Sequence, residues 1–320
     1  MLEQTARRMA KPPWKPEIIV VTGPTAAGKS ALALAVGERL GGTVINADAM
    51  QTYDAFPILT AQPSAEERAR LPHRLYGVLP LSETVSAARW AELASVEIEQ
   101  CIAAGRMPIL CGGSGLYLRT LMQGISAIPS ASEELRAEAN RDWETMGAEA
   151  FRARLAEKDP VTVERLKSGD RQRHVRAWEV VMATGRPLSA WQIRQGKPAP
   201  WRFATILMAP ARDWLRQRIE TRFDAMLAAG VLDEVRAVFD ASSDPVWPGL
   251  KAHGAPEFFR HFRGELSLEE ARKIGIDHTR QYAKRQMTWF RHQLVPDVVF
   301  DPAAESDMGP AEKYLDKMGV

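Results

Sequence analysis

Cysteine is nearly absent from this chain: Cys101 and Cys111 are the two thiols in 320 residues. Two cysteines make neither a disulfide framework nor a metal-binding pattern. They are expected to pack in the core of a protein kept in a reducing cytoplasm. No apolar run approaches the roughly 18 residues that a membrane helix needs. Residues 1–16 carry Arg7, Arg8, Lys11 and Lys15 but no apolar stretch of a secretory signal, and read as a loose basic arm. Nor is there a large excess of one charge. The 42 Lys and Arg stand against 40 Asp and Glu, a net charge of +2, so composition alone does not announce a nucleic-acid binder. Internal repeats and low-complexity segments are also missing, which excludes solenoids and disordered arrays. What remains is an ordinary water-soluble composition, long enough for one large domain or two.

What the chain does contain is Gly23-Pro24-Thr25-Ala26-Ala27-Gly28-Lys29-Ser30. Two glycines with four residues between them, followed by Lys and Ser, form the phosphate-loop pattern. Ile18–Val21 before it reads as a buried strand, and Ala31–Val36 after it as the start of a helix. Strand, glycine loop and helix together are the context that the pattern needs. Backbone N–H groups and the positive end of the helix cradle a di- or triphosphate. Lys29 adds a mobile cation, and the Ser30 hydroxyl is the candidate Mg²⁺ ligand.

Residues 17–125 alternate between strands (Ile18–Thr22, Thr43–Asn46, Met107–Cys111) and helices such as 87–104, the pattern of a parallel sheet covered on both faces. From about 126 to 202 the strand signal vanishes. Helices are expected over 132–146, 148–158, 160–166 and 171–184, the first opening after Ser130 and Ser132. A strand returns at Phe203–Met208, then a helix over 212–229. The simplest architecture is an α/β core, 17–125 with 203–320, interrupted by a helical insertion, 126–202; two sequential domains split near 126 are the alternative.

Basic residues cluster in two places. Between Arg165 and Arg202 stand nine Lys and Arg, among them Arg171, Arg173, Arg176 and Arg194, against Asp170 and Glu179. A second run over 280–292 has Arg280, Lys284, Arg285 and Arg291 interleaved with Tyr282, Trp289 and Phe290. Cations with aromatics are a footprint of nucleic-acid contact; a solvated helix face beside core aromatics gives the same pattern. Asp48 follows a strand at the carboxyl edge where ligands sit in such sheets. As a lone carboxylate it is a Mg²⁺ ligand, a general base or a helix cap. Gly112-Gly113-Ser114-Gly115 ends another strand at that edge, where glycines would admit a ligand close to the backbone.

A phosphoryl-transfer enzyme usually shows an apolar strand ending in a Mg²⁺-holding Asp. Val44–Asp48 fits that imperfectly, and no guanine-specificity signature is present. Six motifs in order instead resemble the bacterial tRNA dimethylallyltransferases: Gly23–Ser30; Asn46-Ala47-Asp48-Ala49-Met50-Gln51-Thr52-Tyr53; Pro72-His73-Arg74-Leu75; Gly112–Tyr117; Arg173–Arg176; and Thr279–Trp289. The resemblance implies transfer of a dimethylallyl group from its diphosphate to N6 of an adenine beside the tRNA anticodon. It implies Mg²⁺ as cofactor, and a loop holding a diphosphate leaving group instead of ATP. It further implies Asp48 as general base, Ser114 near the reacting centre where the family often has Thr, and Lys29 and Arg222 on the diphosphate. Asp48, Ala49, Met50 and Gln51 would read the base, and Gln172, Arg173, His174, Val175 and Arg176 would contact the anticodon stem-loop. A cytoplasmic monomer without membrane contact is expected. One departure stands out: after Trp247-Pro248 the Tyr of the family's Gly-Tyr pair is absent and the chain reads Leu250-Lys251-Ala252-His253-Gly254-Ala255, so the resemblance assigns no RNA contact there. The main alternative is a P-loop kinase acting on a small metabolite, with the insertion as its lid; it would turn over ATP.

Overall fold

The computed structural model describes residues 17–126, 128–129, 131–193, 196–241, 247–304, 313 and 315–316. The basic arm 1–16, Ser130 and Arg194 lie outside the described residues.

The chain divides into two compact units, Gln123–Ala199 and the remainder on either side of it. The larger unit is built on six parallel strands: β1 (Ile18–Thr22), β2 (Gly42–Asn46), β3 (His73–Arg74), β4 (Met107–Gly112), β5 (Phe203–Met208) and β6 (Val298–Phe300). Their order across the sheet is β3-β2-β4-β1-β5-β6. Every residue of β1 and β2 is buried, as expected of strands covered on both faces, and this is why they read as unbroken apolar runs and not as alternating ones. The expected return of the chain at Phe203 is met: β5 lies against β1, with Thr22 level with Leu207. On the other side Thr22 is level with Gly112 of β4. The connection after β1 leads to β2, and that after β4 leads eventually to β5, on the opposite side of β1. The loops following β1 and β4 therefore part at the carboxyl edge, which opens the crevice where ligands bind in such sheets.

Two strands escape the sequence pattern. β3 and β6 have two and three residues at the sheet edges, too short to show any periodicity. Four helices, Arg212–Ala228, Val231–Ala241, Ala255–Phe262 and Leu268–Gln293, add a second core around Phe223, Phe258, Phe259 and Ile276. No helix among the described residues is long and apolar enough to cross a membrane.

The helical unit packs Glu133–Ala156, Pro160–Arg165 and Arg171–Thr184 around Phe151, Leu155, Val163, Val175 and Trp178. The two helices expected over 132–146 and 148–158 are contiguous, joined at Gly147, whose φ of 77° and ψ of 166° break the helical path. Only glycine takes such a conformation readily. Asp159, fully buried, accepts hydrogen bonds from the Thr162 N–H (3.1 Å) and the Ser189 hydroxyl (2.6 Å). It thereby caps the helix Pro160–Arg165 and ties it to the short helix Leu188–Gln192.

Candidate active site

The phosphate loop connects β1 to the helix Lys29–Leu40. Gly23 leaves no room for a side chain, since a Cβ there would lie 2.5 Å from the Met208 carbonyl oxygen of β5. Gly28 has φ 89° and opens the helix without a side-chain cap. The first N–H groups of that helix thus face the crevice, with the positive end of the helix behind them. Lys29 Nζ donates to the Pro24 carbonyl (2.8 Å), and Ser30 is exposed at the helix start.

Asp48 is placed by the end of β2. Asn46, fully buried, accepts the Asp48 N–H through Oδ1 (2.8 Å) and donates through Nδ2 to the Asp48 and Leu75 carbonyls (2.9 and 3.0 Å). Buried Trp90 donates to the Asn46 carbonyl (2.9 Å). Asp48 Oδ1 accepts the Met50 N–H (3.0 Å), a local turn bond that occupies one oxygen; the cap position of the short helix Met50–Thr52 is Ala49. Oδ2 remains for other chemistry. Gln51 donates through Nε2 to the Thr60 and Ala61 carbonyls (2.9 and 2.8 Å). That short turn is held in its turn by Glu234, whose two carboxylate oxygens accept from Ile58 and Leu59 (2.6 and 2.9 Å).

Asp48, Met50, Gln51, Lys29 and Ser30 line one cavity of about 250 Å³ with Thr25, Ala26 and Gly28 of the loop. Arg222 joins them from the helix Arg212–Ala228, its Nη1 donating to Thr25 Oγ1 (3.3 Å). Three further wall residues escape the sequence reading: Arg218, His253 and Tyr282. Arg218 precedes Arg222 by one helical turn, a spacing that would have found it. His253 and Tyr282 face each other with ring centroids 4.9 Å apart, a contact between elements that no local pattern carries. His253 occupies the segment that departs from the family, while its neighbours Leu250, Ala252 and Ala255 are buried in the core.

The cavity is cationic. Burial lowers the pKa of both Lys29 and Arg222, each opposed by the nearby Asp48 charge. Their hydrogen-bond partners, a carbonyl and a hydroxyl, carry no charge, so an anion entering here meets positive charge that Asp48 offsets only in part. Burial also pushes the Cys111 thiol up to about 11, leaving it protonated on the cavity floor. Among the described residues no three His, Cys, Asp or Glu gather as a metal cage. A hydroxyl at Ser30 beside a phosphate seat nevertheless suits Mg²⁺, which commonly takes few protein oxygens and completes its shell with water and substrate phosphates.

Two groups of expected residues are placed differently. Ser114 does not line the cavity; its hydroxyl accepts the Ala49 N–H (2.9 Å), so it supports the segment beside Asp48. Of the adjacent glycines, Gly113 and Gly115 are covered by Gln286 and Trp289, while Gly112 lines the cavity. In the helical unit, Gln172 and Arg173 are exposed and Arg176 is half-buried. His174 and Val175 are core residues, which corrects their assignment to an RNA-facing surface. His174 has no exposed surface, packs on Trp143 (5.6 Å) and contacts the Asp170 carbonyl through Nδ1 (2.8 Å).

The comparisons with known proteins agree with one another. A profile described as IPP transferase matches residues 51–293. A tRNA dimethylallyltransferase of Rhodospirillum centenum is 50% identical over 287 residues, covering 89% of this chain and 91% of its own. One from Granulibacter bethesdensis is 52% identical over 276 residues, 86% of either chain. Among solved structures, the tRNA isopentenylpyrophosphate transferase of Bacillus halodurans superposes with a TM-score of 0.69 at 30% identity, covering 95% of this chain and 97% of its own. A eukaryotic dimethylallyltransferase described as acting on tRNA reaches 0.79 at 26% identity, covering 92% and 77%. With a family profile spanning most of the chain and relatives at half identity over nearly all of it, this protein belongs to the IPP transferase family.

Proposed function

We propose that this protein transfers a dimethylallyl group from dimethylallyl diphosphate to the exocyclic N6 of the adenine beside the tRNA anticodon, position 37, releasing diphosphate. One observation carries the reading: a single cavity holds three cations, Lys29, Arg218 and Arg222, against one carboxylate, Asp48. The cations suit the leaving group and the carboxylate suits the nucleophile.

The allylic C1–O bond breaks with its electron pair passing to the diphosphate, and the N6–C1 bond forms. Negative charge grows on the diphosphate oxygens, where loop N–H groups, Lys29 and Arg222 stabilise it without reorganising. Adenine N6 is a weak nucleophile because its lone pair is delocalised into the ring. Asp48 accepts the N6 proton as the bond to carbon forms, a role that typically contributes 10²–10⁴-fold. Mg²⁺, held through the Ser30 hydroxyl, would supply further charge neutralisation on the diphosphate. The adenine must leave its stack to reach this cavity. His253 and Tyr282 offer aromatic faces for it, and Asp48, Met50 and Gln51 line the side that meets its polar edge; Ala49, expected with them, is outside the lining and donates its N–H to Ser114.

The anticodon stem-loop is bound through cations of the helical unit, exposed Arg173 and half-buried Arg176, with Gln172 beside them. The protein acts in the cytoplasm as a monomer. The test incubates it with Mg²⁺, labelled dimethylallyl diphosphate and unmodified tRNA, beside a parallel reaction holding labelled ATP. Label in the tRNA with ATP untouched is the expected result; ATP consumed and RNA unlabelled would return the metabolite-kinase reading.

A further inference from the structure

The chemistry above makes no use of Gln286, yet this residue is the most deeply placed polar group on the long helix Leu268–Gln293. It is 6% exposed. Its Oε1 accepts the N–H of Thr25 in the phosphate loop (2.8 Å), and its Nε2 donates to the Gly113 carbonyl in the turn after β4 (2.9 Å). Those are the two loops that part at the carboxyl edge of the sheet. The fit is close: a Cβ on Gly113 would lie 2.3 Å from Nε2.

The bonds continue beyond Gly113. The next N–H, that of Ser114, donates to the Ala47 carbonyl (3.1 Å), and Ser114 Oγ accepts the Ala49 N–H (2.9 Å). Ala47 and Ala49 flank Asp48. Hydrogen bonds thus run from the loop that seats the diphosphate, through Gln286 and the Gly113-Ser114 turn, to the backbone on both sides of the carboxylate. A buried amide satisfied at both ends is rigid, and losing either bond strands a buried backbone group. Thr25 is also the residue that receives Arg222, so the strap fixes the leaving-group side as a unit.

We propose that Gln286 is a positioning residue for the transfer, setting the separation between the diphosphate seat and Asp48. This rests on the reading of the site given above. Displacement of a reacting group by about 1 Å costs on the order of 100-fold in rate.

Two variants test it, with transfer, tRNA binding and melting temperature measured on each. Gln286→Met keeps the length and loses both bonds. It should lower kcat by about 10- to 100-fold while tRNA affinity stays within about twofold of wild type. Gln286→Glu keeps the acceptor for Thr25 but, ionised, sets a negative oxygen against the Gly113 carbonyl. Protonated, it regains an O–H donor and mimics the amide. The ratio of its rate to that of wild type should therefore climb toward one as pH falls from 8 to about 5.5, a signature that mere loss of packing does not give. Wild-type kcat in Gln286→Met, or a flat Gln286→Glu ratio, would overturn the strap alone. If Gln286→Met does not fold, the Gln286→Glu ratio decides. A wild-type protein that transfers no label overturns the reading of the site and the strap with it.

Discussion

In the helical unit, Arg171 pairs with Glu144 (2.8 Å), Arg173 with Asp170 (3.5 Å) and Arg176 with Glu179 (3.1 Å). Around the cavity of the sheet unit, Lys29 is held by a carbonyl, Arg222 by a hydroxyl, and Arg218 lies over the Trp214 ring at 5.4 Å. Both regions are rich in Lys and Arg, and the sequence does not distinguish them. The partners do. The Arg171 and Arg173 pairs are open to solvent and worth about 0–1 kcal/mol, so their carboxylates are readily exchanged for a passing phosphate, whereas Glu179 is buried beside Arg176. Such charge steers and grips a polyanion in a salt-dependent way. A desolvated cation with a neutral partner is held in wait for one particular anion, and its lowered pKa records the cost of keeping it there. The first arrangement suits a long backbone, the second a leaving group.

That contrast can be broken at several points. The largest effect is expected from Asp48→Ala, which removes the single carboxylate among the cavity cations. Transfer should fall by at least about 100-fold with tRNA binding nearly intact. A variant retaining a tenth of the rate would remove Asp48 from the role of base. Arg222→Ala should raise KM for dimethylallyl diphosphate and lower kcat, together costing on the order of 10- to 100-fold in kcat/KM, because a charge-assisted contact is lost in a dry site. Equal loss of tRNA affinity in a filter-binding assay would show the two regions to be less separate than their partners indicate. Smaller changes are expected on the outer helix. Arg173→Ala and Arg176→Ala should each weaken tRNA binding severalfold and reduce the slope of log affinity against log salt by about one. An unchanged slope would take that helix off the contact surface.

The smallest effect concerns pH. Burial lowers the pKa of His253, with Arg285 and His278 acting in the same direction and Glu257 and Asp48 against it. The folded protein therefore binds this proton less tightly than the unfolded chain, whose imidazole titrates near about 6.5. The resulting stabilisation is present above that value and is lost as pH falls through the lower folded value. Melting curves from pH 7.5 to 5 should show wild type losing slightly more stability than His253→Gln. Parallel curves would place the imidazole in solvent.

Much of the site was legible because its residues lie within short, stereotyped stretches. The loop announces itself through strand, glycines and helix, and Asp48 through its place after a buried strand. Arg218 was within reach by counting one turn back from Arg222. Tyr282 and Gln286 stood within the Thr279–Trp289 stretch and His253 within the departing segment, but their roles were hidden, since these arise from contacts made across the fold; Thr25 and Gln286 are 261 residues apart in the chain. The error at His174 and Val175 has a different source. A motif names a stretch, but on a helix consecutive residues point to different sides. Gln172 and Arg173 face outward while His174, Val175 and Trp178 turn inward onto Trp143 and Phe151. β3 and β6 were missed because edge strands of two or three residues carry no period to read.

The sheet order has a consequence for how the protein is made. The phosphate loop is made well before its surroundings: one flank of its strand, β5, follows about 180 residues later, and the amide that holds Thr25 later still. Domains acquire structure as they are translated, and contacts between distant parts of the chain must wait for both partners. The nascent chain therefore carries its anion loop without a site to serve. Completion of the site waits for Gln286, and a chain interrupted before it has the loop without the amide that holds Thr25.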